Sequence, residues 1–192
     1  EDTGGLTPFT VATQTAALAT AAALARDLGG DRCARELQAI AERWDDAIER
    51  WLYRRGGPLA DRLGIAGYYV RARRPGEPFA ELELPHLPRT ELSPDALALV
   101  RFGLRAPDDP RIVDTVSAID AVLRTTCAGE PAWRRYPGDH YGEHRDGAPF
   151  DGRGIGRSWP LLVGERAHYE LACGRRDRAE ARLHAIERFA GP

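Results

Sequence analysis

Apolar and polar residues fall along this chain in blocks of helical period that alternate in character. Residues 8 to 28 are alanine-rich nearly all round, with Val11, Leu18, Leu24 and Leu28 among the alanines. A helix without a polar face is expected to be buried on most sides. Thr7 ahead of Pro8 supplies a cap and a first-turn proline, and Gly29-Gly30 supplies the stop. Residues 32 to 54 follow an Asp31 cap and place Cys33, Leu37, Ile40, Trp44, Ile48 and Trp51 at three-four spacing, with charges opposite. That stripe predicts a half-exposed helix whose tryptophans face the core.

The alternation repeats twice more. Ser93-Pro94 opens an apolar helix to about Leu104, and Asp109-Pro110 opens a striped one to about Thr126 through Val113, Val116, Ile119 and Val122. Residues 160 to 173 are mostly apolar, and residues 177 to 190 carry Leu183, Ile186 and Phe189 on one side. Three pairs of a buried helix followed by a striped one predict an all-α fold, about half of an (α/α)6 toroid, with buried helices inside and striped helices outside. No fixed-period repeat supports a solenoid. Links from buried to striped helix are short. Those from striped to the next buried helix, near 55 to 92 and 127 to 159, exceed the usual loop length and are expected to be functional. In an alternating toroid both long loops emerge, with the chain's first residues, at the N-terminal ends of the inner helices and share one face. Residues 67 to 72 and 132 to 136 alternate enough for minor short strands in those loops.

Composition narrows the chemistry. The 192 residues carry a net charge of -2 with both signs interspersed, which argues against a nucleic-acid or membrane surface as partner. All 27 basic residues are arginine, so Schiff-base chemistry, pyridoxal phosphate and a phosphate-loop lysine are excluded within the chain. Cys33, Cys127 and Cys173 are isolated, and neither a metal spacing nor a disulfide framework follows from them. The two in helical patterns are expected to be small buried residues. Methionine is absent, which suggests a piece of a larger protein.

The densest chemistry lies in the run Tyr141 to Leu171, YGEHRDGAPFDGRGIGRSWPLLVGERAHYEL. Glycines at 142, 147, 152, 154 and 156 let the backbone turn tightly and approach a ligand closely. Among them stand Tyr141, Glu143, Asp146, Asp151, Arg157 and Trp159. Carboxylates and arginine hydrogen-bond hydroxyls in pairs, and an indole covers the apolar face of a sugar ring. Glu143, Asp146 and Asp151 have a second reading, as braces that accept backbone N–H groups within the loop. Trp159 has one too, as plain packing.

This block resembles the family 15 glycoside hydrolases, the bacterial glucoamylases and glucodextranases, in which GYGEHxDGxPFDGxGxGRxWPLLxGERxHYELA is recognisable. The opening Glu1-Asp2-Thr3-Gly4-Gly5-Leu6-Thr7-Pro8 resembles the family's Trp-Glu-(Glu/Asp)-x-x-Gly-x-(Ser/Thr)-Pro without its leading tryptophan. The resemblance implies an inverting hydrolase that releases glucose from non-reducing ends of α-glucans; no cofactor is expected, and no metal-ligating residues are read in the sequence. It implies Glu1 as general acid. It further implies Asp2, Tyr141, Glu143, Asp151, Arg157 and Trp159 as substrate-binding residues. The family's general base lies in a Pro-Glu-Gln segment that this sequence does not contain. Residues 1–192 are therefore expected to be a partial catalytic domain, truncated at both ends and inactive alone.

Other patterns in the chain compete with this reading. His140 to His144 fits HxxEH, a zinc-peptidase pattern that needs a helix, yet Pro137, Gly138, Gly142, Gly147 and Pro149 crowd the segment. Asp45-Asp46-Ala47-Ile48-Glu49 resembles the aspartate-rich magnesium motif of terpene synthases but falls on a striped helix, where surface charge is expected. Glu165, Arg166, His168 and Glu170 lie on an inner helix and should form a structural network, since buried charges need partners. The alternative function is a non-catalytic helical scaffold that binds carbohydrate or protein on the same loop face.

Overall fold

The computed structural model describes residues 5–73 and 92–190. Helices form where caps and period coincide. Helix α1, Pro8–Asp27, starts on Thr7, whose hydroxyl accepts from the Thr10 N–H. The expected second helix is divided into α2, Asp31–Asp45, and α3, Ile48–Leu52, by a turn at Asp46-Ala47. The chain then enters β1, Tyr53–Arg55, and α4, Pro58–Leu63, and returns as β2, Gly67–Tyr69. Strands β1 and β2 are antiparallel, with Tyr53 opposite Tyr69 and Arg55 opposite Gly67. Glycine is required at 67, because a Cβ there would overlap the Arg54 carbonyl oxygen.

A 3-10 helix, Pro94–Leu97, capped by Ser93, runs into α5, Ala98–Arg101. Helix α6, Pro110–Val122, is capped by the Asp109 carboxylate on the Arg111 N–H. It ends in a hairpin of β3, Arg124–Cys127, and β4, Glu130–Trp133. The two-residue turn Ala128-Gly129 has positive φ at both positions, 47° and 79°, which matches the right-handed strand twist. Helices α7, Pro160–Ala172, and α8, Arg176–Phe189, close the described chain.

The layers follow from which helices touch. α1 and α7 each pack on the 3-10/α5 unit between them, while α2 lies on α1, α6 on the 3-10 turn and α8 on α7. That is the expected inner and outer alternation. One core joins Val11, Ile48, Leu52, Leu99 and Ile112, and a second joins Leu59, Tyr68, Leu123, Trp133 and Val163.

Several expectations need correction. Helix α1 is buried only at Pro8, Val11, Ala12, Thr15 and Ala22, and Leu24 and Leu28 are exposed, because no described element covers its other faces. Val113 and Leu183 are also exposed, the first on the outer side of α6. Cys33 is exposed rather than buried, and Trp44 and Trp51 are half-buried, with Trp51 packed against the first core. The strand expected at 132–136 occupies Glu130–Trp133, and the one at 67–72 is shortened to Gly67–Tyr69.

Candidate active site

The second long loop is built around a buried carboxylate. The Asp139 side chain has no exposed surface and accepts from Nε and Nη2 of Arg135, each at 2.8 Å, and from the Tyr141 N–H at 3.0 Å. Burial alone would raise its pKa. The Arg135 hydrogen bonds and the Tyr141 N–H outweigh that and hold it below the usual carboxylate range. The chain then doubles back. The Gly154 N–H donates to the His140 carbonyl, and the Ile155 N–H to that of Glu143 at 3.0 Å. Close approach dictates two of the glycines here: a Cβ at Gly154 would overlap the Gly142 carbonyl, and one at Gly156 that of Asp139.

The folded loop presents a row of rings. Tyr141 lies 5.3 Å from Phe150 and 5.7 Å from Trp159 between centroids, and Tyr141 and Phe150 are nearly half exposed. Trp159 is the N-cap residue of α7. Its backbone N–H donates to the Trp133 carbonyl at 3.1 Å, so β4 anchors the chain at Trp159, whose indole packs against the second core. The Arg135 guanidinium lies over Trp159, Tyr141 and Tyr136, at 4.8, 5.1 and 5.2 Å. An arginine neutralised by a buried carboxylate and surrounded by rings forms a rigid polar centre inside an aromatic wall.

The other expected contact residues take different positions. Glu143 and Arg157 pair with each other on the surface, and Glu143 is held below its ordinary pKa by its own backbone N–H and by Arg157. Arg157 also borders a cleft of about 410 Å³ with Thr125, Arg134, Arg145 and Ser158. Asp146 and Asp151 accept from the Ala148 and Arg153 N–H groups, and Asp151 also meets His144 at 3.0 Å. These contacts match the bracing reading of the two aspartates. Glu1 and Asp2 lie outside the described residues.

Contacts carry the N-terminal segment to this wall. Leu6 and Arg73 exchange both backbone hydrogen bonds, at 2.8 and 2.9 Å, and two residues earlier the Arg71 guanidinium stacks on Tyr136. Leu6, the middle of the first long loop at Arg71 and Arg73, and the second long loop at Tyr136 therefore adjoin at one place. Asp95, in the first turn of the 3-10 helix, lies nearby, with its pKa raised by burial and its charge felt by Arg71 and Glu165. Sequence reasoning missed Arg135, Asp139 and Arg71. The four-residue spacing of Arg135 and Asp139, with a backbone N–H at Tyr141 within reach of an aspartate two residues back, was the available signal for the first pair.

The inner-helix charges divide in two. Arg166 binds Asp120 through two 2.8 Å bonds and Glu170 at 3.3 Å, and the Trp133 indole N–H also donates to Asp120. Glu165 instead pairs with Arg101, which lies beside the packed rings of Phe9 and Phe102. His168 is exposed and stands apart from this network. His140 to His144 is coil, so the histidines of the HxxEH pattern do not share a helix face. Asp45 and Glu49 both bind Arg105, which clamps the end of α2 and α3 to the segment after α5.

The chain matches the model of the glycosyl hydrolases family 15 over residues 1–181. It is similar to a glucoamylase of Clostridium sp. (strain G0005), at 34% identity over 197 residues, covering 99% of this chain and 27% of that protein. It is also similar to the crystal structure of a bacterial glucoamylase complexed with acarbose, with a TM-score of 0.78 and 32% identity. That match covers 92% of this chain and 27% of the solved one. The chain thus spans about a quarter of the length of the relatives it matches. The helical alternation described above is the (α/α)6 fold of that solved structure over most of this chain.

Proposed function

The chain belongs to glycosyl hydrolase family 15, and from that premise we propose that it forms part of the catalytic domain of an exo-acting, inverting α-glucoside hydrolase. Its substrate is the non-reducing end of an α-glucan and its product is glucose. The observation that carries this reading is the wall of Phe150, Tyr141 and Trp159 around Arg135, at the face where the N-terminal segment meets both long loops.

Glu1 is the general acid in this reading. It protonates the glycosidic oxygen as the bond from that oxygen to C1 breaks. A general base contributed by residues outside this chain takes a proton from water, whose oxygen bonds C1 from the opposite face. The two carboxyl groups flank the bond at roughly 6.5–9.5 Å, the spacing that leaves room for the water and inverts the anomeric centre. Asp2 accepts from a sugar hydroxyl. Trp159 and Tyr141 cover the apolar face of the ring, and Arg157, Glu143 and Asp151 bond hydroxyls at the rim, the first two by exchanging their mutual ion pair for the sugar.

Titrating the full-length protein with maltooligosaccharides, followed by tryptophan fluorescence, tests the wall. Binding should saturate and weaken about fivefold in Trp159→Ala, since a stacked aromatic contact contributes on the order of 1 kcal/mol. Unchanged affinity in that variant would remove Trp159 from the site.

A further inference from the structure

The wall and the proposed acid lie on separate stretches of chain, and inversion requires their spacing to be fixed. Arg71 joins the wall to the N-terminal segment: its guanidinium meets Tyr136, and two residues on, Arg73 pairs with Leu6. Its backbone is anchored on both sides: the Val70 N–H donates to the Leu52 carbonyl at 2.8 Å, and Arg73 exchanges both backbone hydrogen bonds with Leu6. Between those anchors the Arg71 guanidinium carbon lies 3.7 Å from the centroid of the Tyr136 ring. The next residue back is Arg135, whose guanidinium covers Trp159 and Tyr141. Two carboxylates, Asp95 and Asp139, both feel the Arg71 charge. The cation is therefore held toward the junction of the 3-10 helix and the second loop.

We propose that Arg71 is a positioning residue whose guanidinium, stacked on Tyr136, fixes the aromatic wall relative to the N-terminal segment that carries the proposed acid. This deepens the functional reading above and rests on it. A planar, delocalised cation suits the task, because it presents a face to the ring while its charge still acts on Asp95 and Asp139. The backbone hydrogen bonds of Val70 and Arg73 do not involve the Arg71 side chain. Its removal leaves those anchors in place and alters chiefly the relative placement of wall and acid. Misplacement of about 1 Å away from the reacting atoms is enough to slow a reaction about a hundredfold.

The test uses the full-length protein with Arg71→Ala, Arg71→Lys, Tyr136→Leu and the double variant Arg71→Ala/Tyr136→Leu. Well below its melting temperature, Arg71→Ala should lose at least about tenfold in kcat on maltooligosaccharides, with a smaller rise in KM. Arg71→Lys should recover only part of the loss. Tyr136→Leu should reproduce it, and the double variant should be no worse than either single one, because the two side chains act as one unit. A folded Arg71→Ala with unchanged kcat and KM would overturn the proposal, as would additive losses in the double variant. A second readout does not depend on turnover: in protein labelled with 5-fluorotryptophan, the Trp159 resonance, assigned through Trp159→Phe, should shift in Arg71→Ala. If the wild type releases no glucose, the functional reading fails by itself, and an unmoved fluorine resonance would still refute the role of Arg71.

Discussion

The Asp139 carboxylate, fully enclosed, receives two hydrogen bonds from Arg135, and that same guanidinium lies 4.8 Å from the Trp159 ring. One buried anion thus sets the place of a cation, and the cation sets the place of an indole. Asp139→Ala leaves Arg135 without its partner and Tyr141 without its acceptor. Loss of a partly buried pair of this kind should cost about 1–3 kcal/mol, read as a lowered urea midpoint. Affinity for maltooligosaccharides should fall with it. Wild-type stability and affinity in Asp139→Ala would show that the wall stands without this pair.

The glycines of the loop separate into two kinds. Gly154 and Gly156 face backbone carbonyls where a Cβ cannot fit, whereas Gly147 has positive φ but open space around it. Gly154→Ala and Gly156→Ala should each cost more than about 2 kcal/mol, while Gly147→Ala pays only the left-handed backbone cost of about 1–2 kcal/mol. Thermal melts of the three variants check the order, and equal losses would contradict it.

The Arg105 clamp is a stability device on the outer side. Its Nε and Nη2 donate to the two oxygens of Glu49 at 2.7 and 2.8 Å, and Nη1 donates to Asp45 at 2.7 Å. Glu49 also accepts from the Tyr69 hydroxyl at 2.6 Å, and the phenol is pushed up in turn, first by burial and then by that carboxylate. Arg105→Ala leaves the half-buried Glu49 with only Arg111, at 3.1 Å, and the Tyr69 hydroxyl, and should cost about 1–3 kcal/mol. Arg105→Lys should recover little, because the bidentate geometry is lost. Chemical denaturation of both variants measures this.

Acid should act through the same groups. Glu49 and Asp139 are raised by burial but lowered more by their arginine bonds, and Asp109 is lowered chiefly by Arg111. A depressed carboxylate contributes stability that is present above its unfolded pKa, about 4, and is lost as pH falls through its folded value. The melting temperature should therefore drop on acidification below about pH 4, and Arg105→Ala should blunt that drop. Asp95 has the opposite sign, since burial raises it. Its folded form favours the proton, so its contribution is fully present below the unfolded value and is lost as pH rises through the folded one. Asp95→Asn should melt higher than wild type at pH 7 and converge with it in acid. A uniform offset at all pH values would contradict this.

The helical frame was legible because it is local. Thr7-Pro8, Ser93-Pro94 and Asp109-Pro110 each mark a helix start, and each does so by a side-chain oxygen accepting from a nearby backbone N–H. The division between α2 and α3 was not legible, since apolar spacing runs on through Ile48 and Trp51. Nor was β1, because three residues become a strand only by pairing with β2. The glycines and Trp159 pointed to the loop, and its bracing aspartates followed from turn chemistry. Arg71 and Tyr136 are far apart in sequence, and their stack exists only after the loops converge. Exposed Leu24 and Leu28 show the limit of reading burial from composition, because a helix face is buried only where another element covers it.

The most direct measurement is NMR observation of the sugar released from maltoheptaose by the full-length protein, followed from the first minutes. Glucose should appear first as the β-anomer, and Glu1→Gln should reduce its rate at least about a hundredfold, within the range for general acid catalysis, while oligosaccharide binding persists. Glucose released first as the α-anomer, or at an undiminished rate in Glu1→Gln, would contradict the account.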